Sequence, residues 1–203
     1  MQSDDTVPIP DKRQTAVMMG HFKVATKEPN EFIRFVMSED NACVWYIKFR
    51  HIFGFENEFE GGEYIIKMIA PENFPYAPPR FYFLTENGIY RVGVKVCVAI
   101  GEYHKENYPA ALGMAGFAGR LLGGMTGWGD LGEGINIIKT SVAEKQRLAK
   151  ASVAANEKNY ANINKMIEDS YKGYSAKWDK TKIKPDELEK LGLAVDTVQN
   201  SNN

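Results

Sequence analysis

The chain of 203 residues has little of what marks several common protein classes. Its 25 Lys and Arg residues are balanced by 26 Asp and Glu residues, which disfavours binding to nucleic acid through general attraction to phosphates. Two cysteines, Cys43 and Cys97, are too few for a disulfide framework, and no CxxC or Cys/His cluster indicates a zinc site. The three histidines, His21, His51 and His104, lie far apart and outside any metal-ligand spacing. We therefore expect no nucleic acid partner, no metal and no other cofactor.

Signals for targeting or membrane insertion are also missing. The acidic start, Met1 to Asp5, is not followed by an apolar core, so it does not resemble a signal peptide. The least polar run, residues 108–128, contains Arg120 and is rich in glycine, which disfavours a membrane span. We expect no span in this chain and a cytoplasmic location, with the nucleus as the alternative. Association with a membrane is expected only if an anchor is missing from this chain.

Hydrophobic periodicity predicts an α+β domain that begins with a helix. The helix is expected over residues 11–27, with Ala16, Met19 and Val24 on its buried face. Four apolar segments with strand character follow: 32–37, 44–49, 63–69 and 80–84. The turns between them are short enough for a four-stranded antiparallel meander.

Helices are predicted after the sheet. Met114, Phe117, Leu121 and Met125 recur at helical spacing, although glycines between them weaken the intrinsic helix propensity. A longer helical stripe extends over residues 141–174, as one helix or two: Leu148, Ser152, Ala155, Tyr160, Ile163, Ile167 and Tyr171. We expect a core domain over residues 11–150 and a helical extension over 151–194. Disordered ends are expected at 1–10 and 195–203.

Two further segments bear on function. Residues 127–132, GWGDLG, match the pattern GxGxxG, but a dinucleotide site needs a preceding strand, so we interpret this segment as a loop. Residues 85–106 lack periodicity and contain Cys97, and long ordered loops of this kind are usually functional. Cys43, at the edge of a predicted strand, is expected to be a buried packing residue.

Several motifs occur together in a recognisable order. EGGEY at 60–64 is followed by PENFPYAPPR at 71–80, then by Phe83-Leu84-Thr85, and then by Cys97 after Lys95-Val96. This order resembles the ubiquitin-conjugating enzymes, whose core carries a GG turn, a YPxxPP loop and an active-site cysteine. More narrowly, TENGIYRVGVKVCVAI at 85–100 resembles the J-type branch, which acts in ER-associated degradation. GEYHKE at 101–106 and GEG at 132–134 add to this likeness, which covers roughly residues 11–150.

The resemblance implies a fold and a chemistry. The fold is an N-terminal helix, a four-stranded antiparallel meander, an active-site loop and C-terminal helices. Cys97 would accept ubiquitin from the ubiquitin-activating enzyme as a thioester in an ATP-dependent pathway, and transfer it to an amine or hydroxyl of a protein substrate, usually with a ubiquitin ligase. A free cysteine is only a few per cent ionised at neutral pH, so proximity and orientation would supply much of the rate.

The resemblance also implies roles for individual residues. Asn87 would stabilise the oxyanion or support the loop, and its plainer interpretation is an Asn-Gly turn residue. His104 would line the gate for the acceptor. Tyr76 would be contacted by ligases, and the alternative is that its side chain is buried in the core. Lys12 and Arg13 would contact the activating enzyme and ligases, and their plainer interpretation is a solvated helix face.

Departures from the family pattern leave two other functions open. The segment 108–112 lacks the family's tryptophans, and the following helix is rich in glycine where relatives carry Leu and Ile. One alternative is a catalytically inactive variant of the fold that binds ubiquitin or a ligase. The other is a structural interaction protein built around the helical segment 141–174, which would require an exposed apolar stripe.

Overall fold

The computed structural model describes residues 6–27, 30–54, 56–96, 110–126 and 137–172. Its elements are α1 (Lys12–Lys27), β1 (Ile33–Met37), β2 (Val44–Phe49), β3 (Tyr64–Ile69), β4 (Arg80–Phe83), α2 (Gly113–Met125), α3 (Val142–Asn159) and α4 (Ala161–Ser170). A short 3₁₀ turn, Ala110–Leu112, precedes α2. This order confirms the predicted α+β class.

The four strands form one antiparallel sheet in chain order, β1-β2-β3-β4, as predicted. Ile47 in β2 lies opposite Phe35 in β1 and Ile66 in β3, and this register places the apolar residues of neighbouring strands on the same face. Because side chains alternate along a strand, Trp45, Ile47 and Phe49 point to one side of the sheet, and Lys48 points to the other.

One hydrophobic cluster fills the side of the sheet that carries Trp45. α2 contributes its whole predicted stripe, and all four members are buried: Met114, Phe117, Leu121 and Met125. α1 contributes Met18, and the Phe22 ring meets Trp45 edge-on at 5.1 Å between centroids. Each fully buried large apolar side chain contributes roughly 1.5–3 kcal/mol to folding.

The predicted buried face of α1 is wrong. Met19 is 50% exposed, Val24 is 72% exposed and Ala16 is also exposed, whereas Met18 and Ala25 are buried. At 100° per residue, Ala16 and Met19 share a face with lysines of α1, so burying them would also bury those ammonium groups. The opposite face of α1 carries no lysine and includes the large apolar side chain of Phe22. This face therefore packs on the sheet.

The glycines of α2 allow a close approach at its first residue. Gly113 has φ +60°, and a Cβ there would lie 3.0 Å from Nδ1 of His21. The His21 ring also meets Phe74 edge-on at 4.9 Å. Gly113 therefore lets an α1 ring lie against the start of α2 and beside the loop that contains Phe74.

The segment 141–174 forms two helices rather than one over its described part. Tyr160 separates α3 from α4, with φ −134° and ψ 35°. Both helices pack against the sheet, so the predicted stripe does not form an exposed apolar face, with Leu148, Ser152, Ile167 and Tyr171 buried. The predicted domain boundary at residue 150 lies inside α3.

Charged side chains tie α4 to the side of the sheet that carries Lys48. The ammonium of Lys48, 1% exposed, pairs with Glu168 at 2.8 Å and with Glu63 at 3.0 Å. Arg34 pairs with Glu168 at 2.7 Å and lies over the ring of Tyr171. The hydroxyl of Tyr171 accepts a hydrogen bond from the backbone N–H of Phe35 in β1. α4 is therefore bound to the sheet by polar contacts as well as by apolar packing.

Candidate functional site

The segment after β4 turns back and runs beside that strand. The backbone N–H of Gly93 donates to the carbonyl of Phe83, and that of Val96 donates to the carbonyl of Phe81. Lys95 lies opposite Tyr82 in an antiparallel bridge. The chain is thus hydrogen-bonded to the sheet up to Val96, the residue immediately before Cys97. Cys97 itself lies outside the described residues.

Asn87 occupies the turn at the far end of this segment. Its Oδ1 accepts from the backbone N–H groups of Ile89 and Tyr90 at 2.9 and 2.7 Å. Its Nδ2 donates to the carbonyls of Thr85 and Tyr90 at 3.1 and 3.3 Å. The side chain is 1% exposed, and Gly88 follows it with φ +78°, which a glycine adopts readily. These contacts favour loop support and the Asn-Gly turn, because both Nδ2 hydrogens face backbone carbonyls.

The rest of the turn is held between the sheet and the chain before α3. The Tyr90 ring stacks on Phe83 at 4.8 Å, and burial raises the pKa of Tyr90, so its hydroxyl stays protonated. The backbone N–H of Ile138 donates to the carbonyl of Ile89, and the hydroxyl of Thr140 donates to the carbonyl of Gly88. A Cβ at Gly88 would lie 2.8 Å from the Thr140 hydroxyl, so a larger residue there would displace this contact.

Tyr76 lies in a second region, on the loop between β3 and β4. Phe74 anchors this loop in the core, and Nε2 of Gln14 in α1 donates to the carbonyl of Pro71 at 3.2 Å. Tyr76 itself is 80% exposed. Its ring is therefore not a core residue, and the alternative of a surface contact stands.

A groove of about 500 Å³ joins Tyr76 to the start of α1. Arg13 lines it together with two acidic residues, Asp11 and Glu72, and with the segment Pro8 to Pro10. Lys12 precedes Arg13 and is exposed. The structure thus brings two predicted partner-binding residues, Tyr76 and Arg13, to one surface.

Cys43 is confirmed as a packing residue. Its side chain is fully buried in the core cluster. Burial has the largest effect and raises the pKa of its thiol, a side-chain hydrogen bond with Gln14 lowers the pKa by less, and the charge of Glu72 raises it slightly further. A buried thiol with a raised pKa is a poor nucleophile at neutral pH.

Other predicted features give no site in the described part of the chain. Within residues 6–27, 30–54, 56–96, 110–126 and 137–172, no three His, Cys, Asp or Glu side chains converge as a metal site would require. None of the helices described there is long and apolar enough to span a bilayer. His104 and the glycine-rich segment 127–132 lie outside the described residues.

Sequence reasoning missed a set of buried polar side chains behind the Asn87 turn. Thr85, Ser152 and Asn156 are 3%, 2% and 1% exposed. Ser152 was part of the predicted helical stripe, but its hydrogen bonds were not foreseen. A polar residue within an otherwise apolar helical stripe is the signal that marks such a position, because buried polar groups require partners.

No family model matches the chain, but curated relatives do. It is 33% identical over 101 residues to ubiquitin-conjugating enzyme E2 J2 of Homo sapiens, a match that covers 50% of this chain and 38% of the relative. Ubiquitin-conjugating enzyme E2 34 of Arabidopsis thaliana is 29% identical over 140 residues, covering 69% of this chain and 57% of the relative.

The chain is similar to ubiquitin-conjugating enzymes at 29–33% identity over 50–76% of its length.

J-type members are among the ubiquitin-conjugating enzymes that are similar to this chain. E2 J1 of Mus musculus is 29% identical over 127 residues, which cover 62% of this chain and 38% of that protein. The chain thus spans between 38% and 57% of the length of the three relatives named. A solved structure of human ubiquitin-conjugating enzyme E2 G1 superposes with a TM-score of 0.48 at 18% identity, covering 56% of this chain and 94% of that one.

Proposed function

We propose that this chain accepts ubiquitin as a thioester on Cys97 and transfers it to an amine or hydroxyl of a protein substrate. The observation that carries the proposal is the anchored segment before Cys97. Its backbone bonds to Phe81 and Phe83 tie the approach to the cysteine directly to the sheet. Of the two thiols, Cys43 is excluded as the acceptor because it is fully buried.

The chemistry consists of two acyl transfers. In the first, the Cys97 thiolate adds to the thioester that joins the C-terminus of ubiquitin to the activating enzyme. A new C–S bond forms, the old C–S bond breaks, and the thiolate of the activating enzyme leaves. In the second, an amine adds to the Cys97 thioester, the C–N bond forms, the Cys97 thiolate leaves, and the amine loses its proton to water. Both steps depend on a positioned carbonyl.

Two candidate residues act around this chemistry in the proposal. Asn87 keeps the turn before Cys97 in one conformation through its four backbone hydrogen bonds. His104 follows Cys97 by seven positions and is proposed to line the acceptor side, as the family resemblance implies.

The groove at Tyr76 is proposed to receive a ubiquitin ligase. An exposed aromatic beside a proline-rich loop offers a large rigid contact, and such residues dominate many protein interfaces. Arg13 adds a cation within the same groove, and Lys12 adds another beside it. The activating enzyme is proposed to contact the same basic start of α1.

The proposal is tested by incubating the chain with activating enzyme, ubiquitin and ATP, followed by electrophoresis without reductant. We expect a ubiquitin adduct that a thiol reductant removes. Cys97→Ala should abolish it, whereas the matched variant Cys43→Ala should retain it. Cys97→Ser should give an adduct that resists the reductant, because an oxygen ester exchanges poorly with thiols.

Folding must be verified in the same samples. Absence of an adduct from a cooperatively folded chain would contradict the proposal and favour the inactive binding module. Retention of the adduct in Cys97→Ala would also contradict it, because the acceptor would then be another residue.

A further inference from the structure

Two polar residues of α3 form hydrogen bonds with the backbone of Glu63, the residue immediately before β3. The backbone N–H of Glu63 donates to the hydroxyl of Ser152 at 2.9 Å, and the Nδ2 of Asn156 donates to the carbonyl of Glu63 at 2.9 Å. The Ser152 hydroxyl in turn donates to the carbonyl of Ala149 at 2.7 Å. Both backbone groups of Glu63 are therefore satisfied by side chains one helical turn apart.

Thr85 connects this contact to the end of β4. Its hydroxyl donates to the Oδ1 of Asn156 at 2.5 Å and accepts from the backbone N–H of Ile65 at 2.9 Å. In the Asn156 amide, the oxygen therefore accepts from Thr85 and the nitrogen donates to Glu63. This arrangement has one orientation, because exchanging the amide nitrogen and oxygen would set the Asn156 oxygen against the carbonyl of Glu63.

The backbone of Thr85 carries the connection into the Asn87 turn. The carbonyl of Thr85 accepts from the Nδ2 of Asn87, whose Oδ1 holds the N–H groups of Ile89 and Tyr90. An uninterrupted series of hydrogen bonds thus runs from Asn156 in α3 through Thr85 to the turn before Cys97. Thr85, Asn87 and Asn156 are each at most 3% exposed, and polar groups buried to this extent are held firmly once all are paired.

We propose that Asn156 is a positioning residue which, acting through Thr85, holds the Asn87 turn in the conformation that transfer from Cys97 requires. The inference rests on the proposed thioester function and goes beyond it by giving α3 a part in the reaction. In the second transfer, the amine adds to the thioester carbonyl, the C–S bond breaks and the Cys97 thiolate leaves. A carbonyl held in the wrong place slows that addition.

Packing alone does not require a polar series at this point. Apolar residues at positions 85 and 156 would bind α3 to the sheet, as Leu148 and Ile167 do elsewhere in the two helices. They would not determine the position of the Thr85 carbonyl through directed bonds. Thr85 and Asn156 therefore do more than attach α3 to the sheet, because their hydrogen bonds also fix the position of the Thr85 carbonyl.

The test separates orientation from stability with matched variants. Thr85→Val removes the hydroxyl and preserves the shape of the side chain, whereas Thr85→Ser retains the hydroxyl. Asn156→Ala removes the amide. Ile167→Val trims a fully buried side chain of α4 that lies outside the hydrogen-bonded series, and serves as the control for general destabilisation.

The readout is discharge of thioester that has already formed, in a single turnover with free lysine as the amine. This rate does not depend on the folded fraction available for charging. We expect it to fall by about tenfold or more in Thr85→Val and Asn156→Ala. Thr85→Ser should restore it, and Ile167→Val should discharge like the wild type.

A second readout needs no ubiquitin. Amide hydrogen exchange at Ile89 and Tyr90 should accelerate in Thr85→Val and Asn156→Ala, and should not accelerate in Ile167→Val. Equal discharge, or equal exchange at these two amides, in Asn156→Ala and Ile167→Val would overturn the inference.

The outcomes also distinguish this inference from the proposed function. A folded wild-type chain that forms no Cys97 thioester contradicts the proposed function, and hydrogen exchange then decides whether the α3 connection exists. A chain that charges normally while all variants discharge alike contradicts the inference alone.

Discussion

At Asn87, a single amide meets four backbone groups, two donors and two acceptors. Aspartate has a similar shape but offers no donor at neutral pH, so it would set a negative charge against the carbonyls of Thr85 and Tyr90. The turn therefore requires asparagine at position 87, because the side chain must both accept and donate hydrogen bonds. The Asn-Gly pair in the sequence predicted the turn, but only the fold shows that the amide is buried.

Asn87→Ala should lower the free energy of unfolding by about 2–3 kcal/mol, because it leaves the buried N–H of Tyr90 and the half-buried N–H of Ile89 without their acceptor. Urea unfolding measures this loss. Asn162→Ala, the same change at an exposed position of α4, should stay within about 0.5 kcal/mol of the wild type. Equal effects of the two substitutions would show that the buried bonds contribute little.

Cys43 should be unreactive in the folded protein. In the Cys97→Ala variant it is the one remaining thiol, and its burial together with its raised pKa keeps both access and thiolate content low. We expect an aromatic disulfide reagent at pH 8 to label it slowly, and urea to make labelling fast. Rapid labelling without urea would mean that the core around Cys43 opens readily.

At the scale of single elements, strands were easier to predict than helix faces. Trp45, Ile47 and Phe49 alternate with more polar residues. Because side chains alternate between the two faces of a strand, this pattern assigns the apolar residues to a single face. In α1, apolar residues occur on both sides, so several stripes fit the sequence. The location of Lys12 and Lys23 beside Ala16 and Met19 on the helical wheel is the signal that decides between them.

Two glycines of α2, Gly119 and Gly113, differ in their surroundings, so replacing each with alanine should change the stability of the protein in opposite directions. A Cβ added at Gly119 would have nothing within 4 Å, so Gly119→Ala should stabilise the protein by about 1 kcal/mol through helix propensity. Gly113→Ala should destabilise it by about 1–2 kcal/mol, because φ is +60° and His21 lies against that position. Thermal unfolding of both variants gives the signs, and equal shifts would contradict the assignment.

The contact of α4 with the sheet should weaken in acid. Partial burial raises the pKa of Glu168, but the hydrogen bonds and charges of Lys48 and Arg34 outweigh this, so its pKa lies below the ordinary value. The ionised carboxylate therefore contributes stability that is complete above about pH 5 and is lost as the pH falls through the folded-state pKa.

Glu168→Gln should cost about 1 kcal/mol near neutral pH, a small value because the side chain is 46% exposed and Lys48 keeps its bond to Glu63. Urea unfolding from about pH 3 to pH 7 should show this difference shrinking in acid. Asp169→Asn removes the neighbouring exposed carboxylate and serves as the control. A pH-independent difference, or one matched by Asp169→Asn, would contradict the assignment.

At the scale of the whole molecule, the core and the C-terminal helices are not separate. Ser152, Asn156, Ile167 and Tyr171 all lie beyond residue 150 and are buried. The boundary was predicted there because the sequence motifs end near residue 150. Motifs are local in sequence and do not reveal contacts between distant segments. The contacts of α3 with β3 join residues about 90 positions apart, as Glu63 and Ser152 do with a separation of 89, and no local pattern reveals them.

A chain that ends after residue 150 should therefore lose cooperative unfolding, because it lacks half of α3, all of α4 and their contacts with the sheet. Circular dichroism during urea titration measures this, and gel filtration reports association of the exposed surface. A truncated chain with the unfolding midpoint of the full chain would show that the helices add nothing to stability.

The outer strands of the sheet differ from bare sheet edges. The Tyr171 hydroxyl covers the outward N–H of Phe35 on β1, and the segment that returns through Gly93 and Val96 covers β4. An uncovered edge is a template on which a second chain can add a strand, which is a common beginning of aggregation. The segment that leads to Cys97 thus also shields β4 from a second chain, as Tyr171 shields β1. A variant that releases either edge therefore carries a hazard of aggregation that no measurement of catalysis would reveal.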